Sequence, residues 1–377
     1  MKVLHVSDLH IGKRVNGMSM LDDQRYILRQ ILDIAEKRQV SVLLIAGDVY
    51  DKASPSAEAV TVFDAFLTDA VAAGLRVLAI PGNHDSAERI AYAQGLLEKQ
   101  GVCLPPVYAG EVERVELEDE HGPVEFWLLP FLKPGDVRRF FPDEEIGDDY
   151  SAALRTVLGA CDIDQGKRNV VLSHQLVTAY GTAPDRADDE IKLGGMDNVD
   201  VSVYDAFDYV ALGHLHRAQT LRGGKIRYCG APLVYSFDEC AQEKSATLVT
   251  VGEKGAPNEF EFVPFQPLHR CVRLEGTLAE LCAMPRSEDY LQALLTDELR
   301  PLDALGTLQV TWPNVLNLQF LHLTGEEIDA AQEEADRGAM GPLEHFAAFY
   351  AHQNGRAPTE AQLDVIREIL REGGENL

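Results

Sequence analysis

Through about the first 220 residues, short apolar runs alternate with longer amphipathic stretches, the punctuation of a βαβα chain. Val3 to Val6 reads as a strand. Asp22 to Arg38 reads as a helix, with Tyr26, Ile27, Ile31, Ile34 and Ala35 near helical spacing. Val42 to Ala46 is apolar at every position, as a strand buried on both faces would be, and Arg76 to Ile80, Val170 to Leu172 and Tyr209 to Leu212 repeat that signature. Ser54-Pro55-Ser56-Ala57-Glu58 reads as a helix start, with proline inside the first turn and an acid close behind. From Val112 to Phe131 the pattern changes to local alternation around the Glu118 to Gly122 turn, which fits an antiparallel hairpin in a mixed sheet.

A second β-rich stretch, Lys225 to Tyr228 and Ala246 to Val251, leads to Pro264 and Pro267. Beyond Leu268 the chain reads as a small α/β unit: strand Cys271 to Leu274, helix Thr277 to Ala283, strand Tyr290 to Leu295, helix near Pro301 to Leu305, strand Thr307 to Trp312. Glu326 to Leu377 is helical in composition, broken at Gly341-Pro342 and between Gly355 and Pro358. A chain of 377 residues exceeds what one core usually serves. The expected division is a large α/β domain over 1–267, a capping unit over 268–322 and a helical segment over 323–377.

Composition narrows the class. Hydrophobic residues make up 46% and charged residues 25%, ordinary globular usage, and no apolar run is long enough to span a bilayer. The formal charge of −27 disfavours a protein that holds nucleic acid by a broad basic surface of its own. The six cysteines at 103, 161, 229, 240, 271 and 282 form no C-x-x-C pair, so free thiols are expected. Met1-Lys2-Val3-Leu4-His5-Val6-Ser7-Asp8 is no signal peptide, which points to the cytoplasm.

Chemistry gathers where the strands end. Asp8-Leu9-His10, Gly47-Asp48-Val49-Tyr50-Asp51, Gly82-Asn83-His84-Asp85, Ser173-His174-Gln175 and Gly213-His214-Leu215-His216 each follow an expected strand. Open α/β sheets bind ligands beyond the carboxyl ends of their strands, so these five tips would converge. In an extended tip, residues i and i+2 point the same way, which would aim Asp8 with His10 and His214 with His216. Gly47, Gly82 and Gly213 would supply the backbone freedom of a sharp exit. Carboxylate, amide oxygen and imidazole without thiolate suit manganese, iron(II) or zinc. Seven such donors suit two ions, which together can clamp the attacking and leaving oxygens of an in-line phosphoryl displacement.

D-x-H, G-D-x-x-D, G-N-H-D, a lone strand-end histidine and G-H-x-H, in this order, resemble the signature of calcineurin-like metallophosphoesterases. Within them, Ser7 to Gly12, Pro81 to Ser86, Ser173 to Gln175 and Asp208 to His216 resemble the bacterial branch of the meiotic-recombination-eleven family of DNA repair nucleases. The resemblance implies a β-sandwich of mixed sheets flanked by helices, with a small α/β capping domain and a helical tail. It implies that Asp8, His10, Asp48 and His216 hold one metal and that Asp48, Asn83, His174 and His214 hold the other, with Asp48 bridging. His84 would face the phosphate as general acid or charge stabiliser, with Asp85 orienting its ring. Asp51 stands where some relatives carry a histidine. The implied activity is manganese-dependent exonuclease action on double-strand ends and endonuclease action on hairpins and single strands. It would be carried out by a homodimer within a heterotetramer with an SbcC-type coiled-coil ATPase.

Blander readings accompany these. His5 lies inside the first strand and reads as core, as does Trp312. Lys13, Arg14, Lys52, Arg89, Arg217, Lys225 and Arg227 are candidate phosphate contacts, though scattered basic residues usually mean a solvated face. Residues 326–377 carry 4 Arg against 12 acids, and Leu343, Phe346, Phe349, Tyr350, Leu363, Ile366, Ile369 and Leu370 follow helical spacing, suited either to folding back or to an ATPase partner. The chain has no G-x-x-x-x-G-K-[ST], so any ATP dependence would come from that partner. The alternatives are a small-substrate phosphodiesterase or phosphatase, and a non-catalytic scaffold of the same fold.

Overall fold

A computed structural model describes residues 1–178, 197–321, 343, 346–347, 349–351 and 357–372. The chain divides into two compact units, one comprising Met1–Leu274, Arg286–Gln292 and Trp312–Asn317, the other Glu275–Pro285, Ala293–Thr311 and Leu318–Leu377.

The first unit is built on two six-stranded mixed sheets. One runs in the order Glu259–Pro264, Ser245–Thr250, Lys2–Val6, Val42–Ala46, Arg76–Ile80, Val102–Cys103. The other runs Gln219–Leu221, Ile226–Tyr228, Tyr209–Leu212, Arg168–Ser173, Gly122–Leu128, Glu113–Asp119. Their inner faces share one apolar layer: Val3, Val42, Leu44, Leu78 and Ile80 pack with Phe126, Leu128, Val170, Leu172 and Ala211. The alternate residues face outward into two further layers. Leu43, Ile45, Val77 and Ala79 meet Ile27, Ile31, Phe63 and Phe66 of the helices Leu21–Arg38 and Ala57–Ala72. Val171, Val210 and Leu212 meet Leu154, Val157 and Leu158 of helix Tyr150–Gly159. Central strands covered on both faces have no polar side to show, which is why their sequences do not alternate.

The hairpin forms as expected, Glu113–Asp119 pairing antiparallel with Gly122–Leu128. His5 is fully buried with Nδ1 2.9 Å from the Tyr209 hydroxyl, a core residue held by one hydrogen bond. Pro55 precedes the helix rather than sitting inside its first turn; the N-cap is Ser56, whose side chain accepts from the Ala59 amide. The strand Glu259–Pro264 carries no clear signal, its burial being exposed or intermediate throughout.

In the later chain, Cys271–Gly276, Tyr290–Leu295 and Val315–Phe320 form a three-stranded sheet. Thr277 caps helix Leu278–Cys282 in a capping box with Glu280. The expected strand over Thr307 to Trp312 is wrong: Ala304–Thr311 is a helix. Asp303 starts it, its carboxylate accepting from the Gly306 amide at 3.2 Å and its carbonyl from the Thr307 amide at 3.0 Å. A strand would place Leu308 and Val310 on one face, yet Leu308 is buried while Val310 is 72% exposed. Trp312 is buried, as expected. In the tail, Glu360–Glu372 is a helix carrying Leu363, Ile366, Ile369 and Leu370, whereas Gly341-Pro342 and Gly355 lie outside the described residues.

Candidate metal centre

The parallel strands end level with one another. Val6 pairs with Ile45, Ala46 with Ile80, and Leu212 with Ser173, so the five motifs leave at neighbouring points. Main-chain pairing continues past the strands: the Asp8 amide donates to the Gly47 carbonyl, His10 to Asp48, each at 3.0 Å, and Gly213 to Ser173 at 3.1 Å.

The expected i, i+2 geometry does not aim the ligands. Asp8, His10, Asp48 and His214 have φ of 53°, 44°, 50° and 99°, so the tips coil through left-handed turns instead of extending. Each such residue costs roughly 1 kcal/mol in backbone preference, which the hydrogen bonds around it must offset. The glycines also act differently from expectation. Gly47 does have a positive φ, but Gly82 and Gly213 serve by lacking a side chain. A Cβ on Gly82 would overlap the Asp48 carboxylate, and one on Gly213 the Ala46 carbonyl.

All seven expected ligands meet. His174 Nε2 lies 3.2 Å from Asp48 Oδ2 and 4.0 Å from Asp8 Oδ1. Asn83 Oδ1 is 3.1 Å from His174 Nε2 and 3.0 Å from His214 Nδ1. His10 Nε2 is 3.1 Å from His216 Nε2 and 3.7 Å from Asp48 Oδ2. Donor atoms of Asp8, His10 and His216, of Asp8, Asp48 and His174, and of His10, Asp48 and His84 form three groups, each within 4.8 Å. Asp8, His10, Asp48 and His174 are almost wholly buried.

Hydrogen bonding behind the imidazoles fits a cation. His174 Nδ1 lies 2.7 Å from the Ala46 carbonyl and His216 Nδ1 2.9 Å from the Glu239 carboxylate. Both partners only accept, so each Nδ1 carries the proton and each Nε2 turns toward the cluster. This is how ligating histidines are usually fixed. Electrostatics agree. Burial opposes charge on both Asp48 and His174, yet their mutual attraction prevails, holding the Asp48 carboxyl well below the usual range and raising His174 to about 9. Burial pushes Asp8 upward and His10 downward. A cation bound here would satisfy the same carboxylate charge that favours a proton on His174.

His84 is half-buried, its amide donating to Asp48 Oδ1 at 2.9 Å and its Nδ1 to the Asp51 carbonyl at 2.9 Å. Asp85 therefore does not orient that ring. Its carboxylate accepts the amides of Val49, Tyr50 and Gly82, clasping the Asp48 and Asn83 loops together. Burial and the Asp48 charge raise it to about 6. The Asp51 side chain pairs with Lys13 at 3.2 Å. Of the candidate phosphate contacts, Arg227 is buried over the Phe262 ring, and Arg89 donates to the Ala53 carbonyl at 2.6 Å.

Several supports were invisible in the motifs. Glu239 is fully buried and joins His216 to Lys244, whose ammonium is 2.6 Å from its Oε2. Gln24, on the first helix, donates to the His10 carbonyl at 2.7 Å and accepts the Gly12 amide at 2.9 Å, pinning the first loop. The Phe131 ring stacks on His214 at 6.5 Å, and Tyr235 lies edge-on to His10 at 5.6 Å.

A family model described as calcineurin-like phosphoesterase matches residues 1–218, and one described as type 5 capsule protein repressor C-terminal domain matches residues 264–354. The D subunit of the SbcCD nuclease of Staphylococcus epidermidis is 29% identical over 98% of this chain and 98% of its own length. Among solved structures, TT1561 of Thermus thermophilus is 13% identical over 69% of this chain and 98% of its own, with a TM-score of 0.41. A dimetal phosphatase from Danio rerio is 11% identical over 69% and 98%, with a TM-score of 0.38.

Proposed function

The chain belongs to the calcineurin-like phosphoesterase family, and from that premise we propose a two-metal DNA phosphodiesterase. It acts as a manganese-dependent exonuclease on double-strand ends and as an endonuclease on hairpins and single strands, in DNA repair and recombination. The observation that carries this reading is the convergence of seven donors from five strand tips on one cluster, five of them buried. Similarity along the whole chain to a nuclease subunit supports the DNA substrate.

Asp8, His10, Asp48 and His216 hold one ion, and Asp48, Asn83, His174 and His214 the other. When bound, two such ions supply Lewis-acid stabilisation of a phosphoryl group and an activated water at neutral pH. The chain supplies the rest. His84 donates through Nδ1 to the Asp51 carbonyl, which leaves Nε2 for the phosphate or the leaving oxygen. Asp85 keeps the Asp48 and Asn83 loops in register through three backbone amides. Residues 1–267 are the nuclease domain, 268–322 the cap and 323–377 the segment that docks on an SbcC-type coiled-coil ATPase. The assembly is a heterotetramer containing a homodimer of this chain, and its place is the cytoplasm. No helix among the described residues is long and apolar enough to cross a membrane. With a charge of −27, the isolated chain binds DNA weakly and in a salt-sensitive way; the partner supplies the attraction.

Cleavage of a linear duplex and a hairpin with manganese, with and without the ATPase and ATP, tests this. His84→Ala should lower the rate roughly 10²–10⁴-fold, and Asp48→Ala should abolish it. Full activity in both variants refutes the mechanism. Much faster cleavage of cyclic nucleotides or monoesters than of DNA would favour a small-substrate phosphodiesterase instead.

A further inference from the structure

The first turn of helix Leu21–Arg38 carries two adjacent polar residues that are almost fully buried, Asp23 and Gln24. A buried carboxylate is costly unless donors surround it, and Asp23 has three of them. Its Oδ1 accepts the His269 amide at 3.1 Å, its Oδ2 accepts the Tyr290 hydroxyl at 2.6 Å, and His269 Nδ1 lies 3.2 and 3.1 Å from the two oxygens. A carboxylate only accepts, so that Nδ1 carries a proton. The donors lie 246 and 267 residues further along the chain, yet all three residues belong to the first compact unit. An acid in a first turn ordinarily complements the helix dipole from the surface, as Asp22 does, paired with Arg25 at 2.7 Å. Asp23 instead fastens the start of the helix to His269 and Tyr290.

Gln24 has other partners. Its amide nitrogen donates to the His10 carbonyl at 2.7 Å and to the Tyr235 hydroxyl at 3.1 Å, and its oxygen accepts the Gly12 amide at 2.9 Å. The main chain repeats the connection: Met20, just before the helix, donates to the Lys13 carbonyl at 3.1 Å and accepts the Gln24 amide at 2.8 Å. His10 sits in a left-handed turn, φ 44°, that its own side chain disfavours, so its place depends on what grips the main chain. The helix start grips it through Gln24, and Asp23 anchors the helix start.

We propose that Asp23 is a positioning residue for one of the two ions: acting through Gln24 it sets the His10 loop, and with it the affinity of the ion held by Asp8, His10, Asp48 and His216. This rests on the two-metal reading above. The other set has its own supports, since the Ala46 carbonyl fixes His174 and Asp85 holds the Asn83 loop through the Gly82 amide. Loss of Asp23 therefore weakens one ion and spares the other, which a general loosening of the fold would not do.

The test reads metal, not turnover. Full-length, chelator-stripped protein is titrated with Mn²⁺ by calorimetry, and electron paramagnetic resonance distinguishes a coupled pair of ions from a single one. The parent should bind two. Asp23→Ala should weaken one of them about tenfold, the loss expected when a support behind a ligand is removed, and so show a single-ion spectrum where the parent shows the pair. Tyr290→Phe, which removes one donor and keeps the ring, should shift the same ion by less, and it carries the test if Asp23→Ala fails to fold. In a Gln24→Leu background, Asp23→Ala should cost much less than it does alone, because the route is already cut. Asp119→Asn is the control for lost stability: Asp119 pairs with Arg168 at the start of the strand whose end leads to His174, and this variant should keep both ions. A parent that binds one ion or none sinks the two-metal reading and this proposal with it. A parent that binds two overturns the proposal alone if Asp23→Ala and Tyr290→Phe match it, if they weaken both ions equally, or if the full tenfold loss persists in the Gln24→Leu background.

Discussion

Replacing Glu239 by glutamine tests whether the metal centre depends on a residue no motif contains. The carboxylate is fully buried, 2.9 Å from His216 Nδ1 and 2.6 Å from Lys244 Nζ, and the same ammonium is 2.9 Å from the His216 carbonyl. Burial alone would raise Glu239, but the hydrogen bond from His216 and the Lys244 charge hold it at about 2. It is thus an anion at any working pH, and it makes the imidazole a better electron donor. Glutamine keeps an oxygen for Nδ1–H and removes the charge. Losing such a support typically costs about 10–100-fold in metal affinity, which is about 1.4–2.7 kcal/mol of binding free energy. Calorimetric titration of chelator-stripped protein with Mn²⁺ measures this directly, without DNA. Leaving the Lys244 ammonium without its carboxylate also destabilises the fold, by up to about 3–5 kcal/mol if nothing compensates. Glu239→Gln combined with Lys244→Met separates the two effects: the melting temperature should recover while the Mn²⁺ affinity stays low. Wild-type affinity in the single variant, with only the melting temperature lowered, would refute the role assigned to Glu239.

Gly213→Ala should destabilise the protein by at least about 1–3 kcal/mol and reduce metal occupancy, because the added methyl meets the Ala46 carbonyl and the His174 ring. Gly159→Ala, with open space at its Cβ position, is the control in denaturant unfolding; equal midpoints would count against the close-packing role. Asp119 accepts from the buried Arg168 at 2.5 and 3.1 Å and from the N-terminal ammonium at 2.6 Å, and the Arg168 bond heads the causes that lower its carboxyl. A folded pKa below the unfolded value of about 3.9 stabilises above that pH and loses the contribution as pH falls through the folded value. Asp119→Asn should therefore be about 1–3 kcal/mol less stable than the parent near neutrality, with the gap shrinking toward about pH 3. A constant gap in urea unfolding across that range would contradict this.

The sandwich was readable because its central strands are apolar throughout and each is followed at once by a polar motif, as in Val42–Ala46 before Gly47-Asp48. The residues that converge on the candidate site were readable for the same reason, since each lies within four residues of a strand end. How they converge was not. The left-handed turns at Asp8, His10, Asp48 and His214 depend on main-chain partners on neighbouring strands, which sequence spacing does not reveal. Glu239 and Gln24 escaped notice because each reaches the site only through the fold, Glu239 from 23 residues beyond His216 and Gln24 from 14 residues beyond His10. Thr307 to Trp312 misled because its β-branched composition outweighs helical spacing until Asp303 supplies the start. Asp85 misled by adjacency to His84: three backbone amides claim its carboxylate first.

The paired loops beyond the strand ends also say when the site comes into being. Asp8, His10 and Gly213 are tied to neighbouring chain by their own amides, and these bonds involve no side-chain donor that a metal would need. The socket is therefore finished when the two sheets close on each other, and an ion entering it finds most of its ordering cost already met by folding. Emptying and refilling then belong to exchange with the surrounding solution and leave the architecture standing.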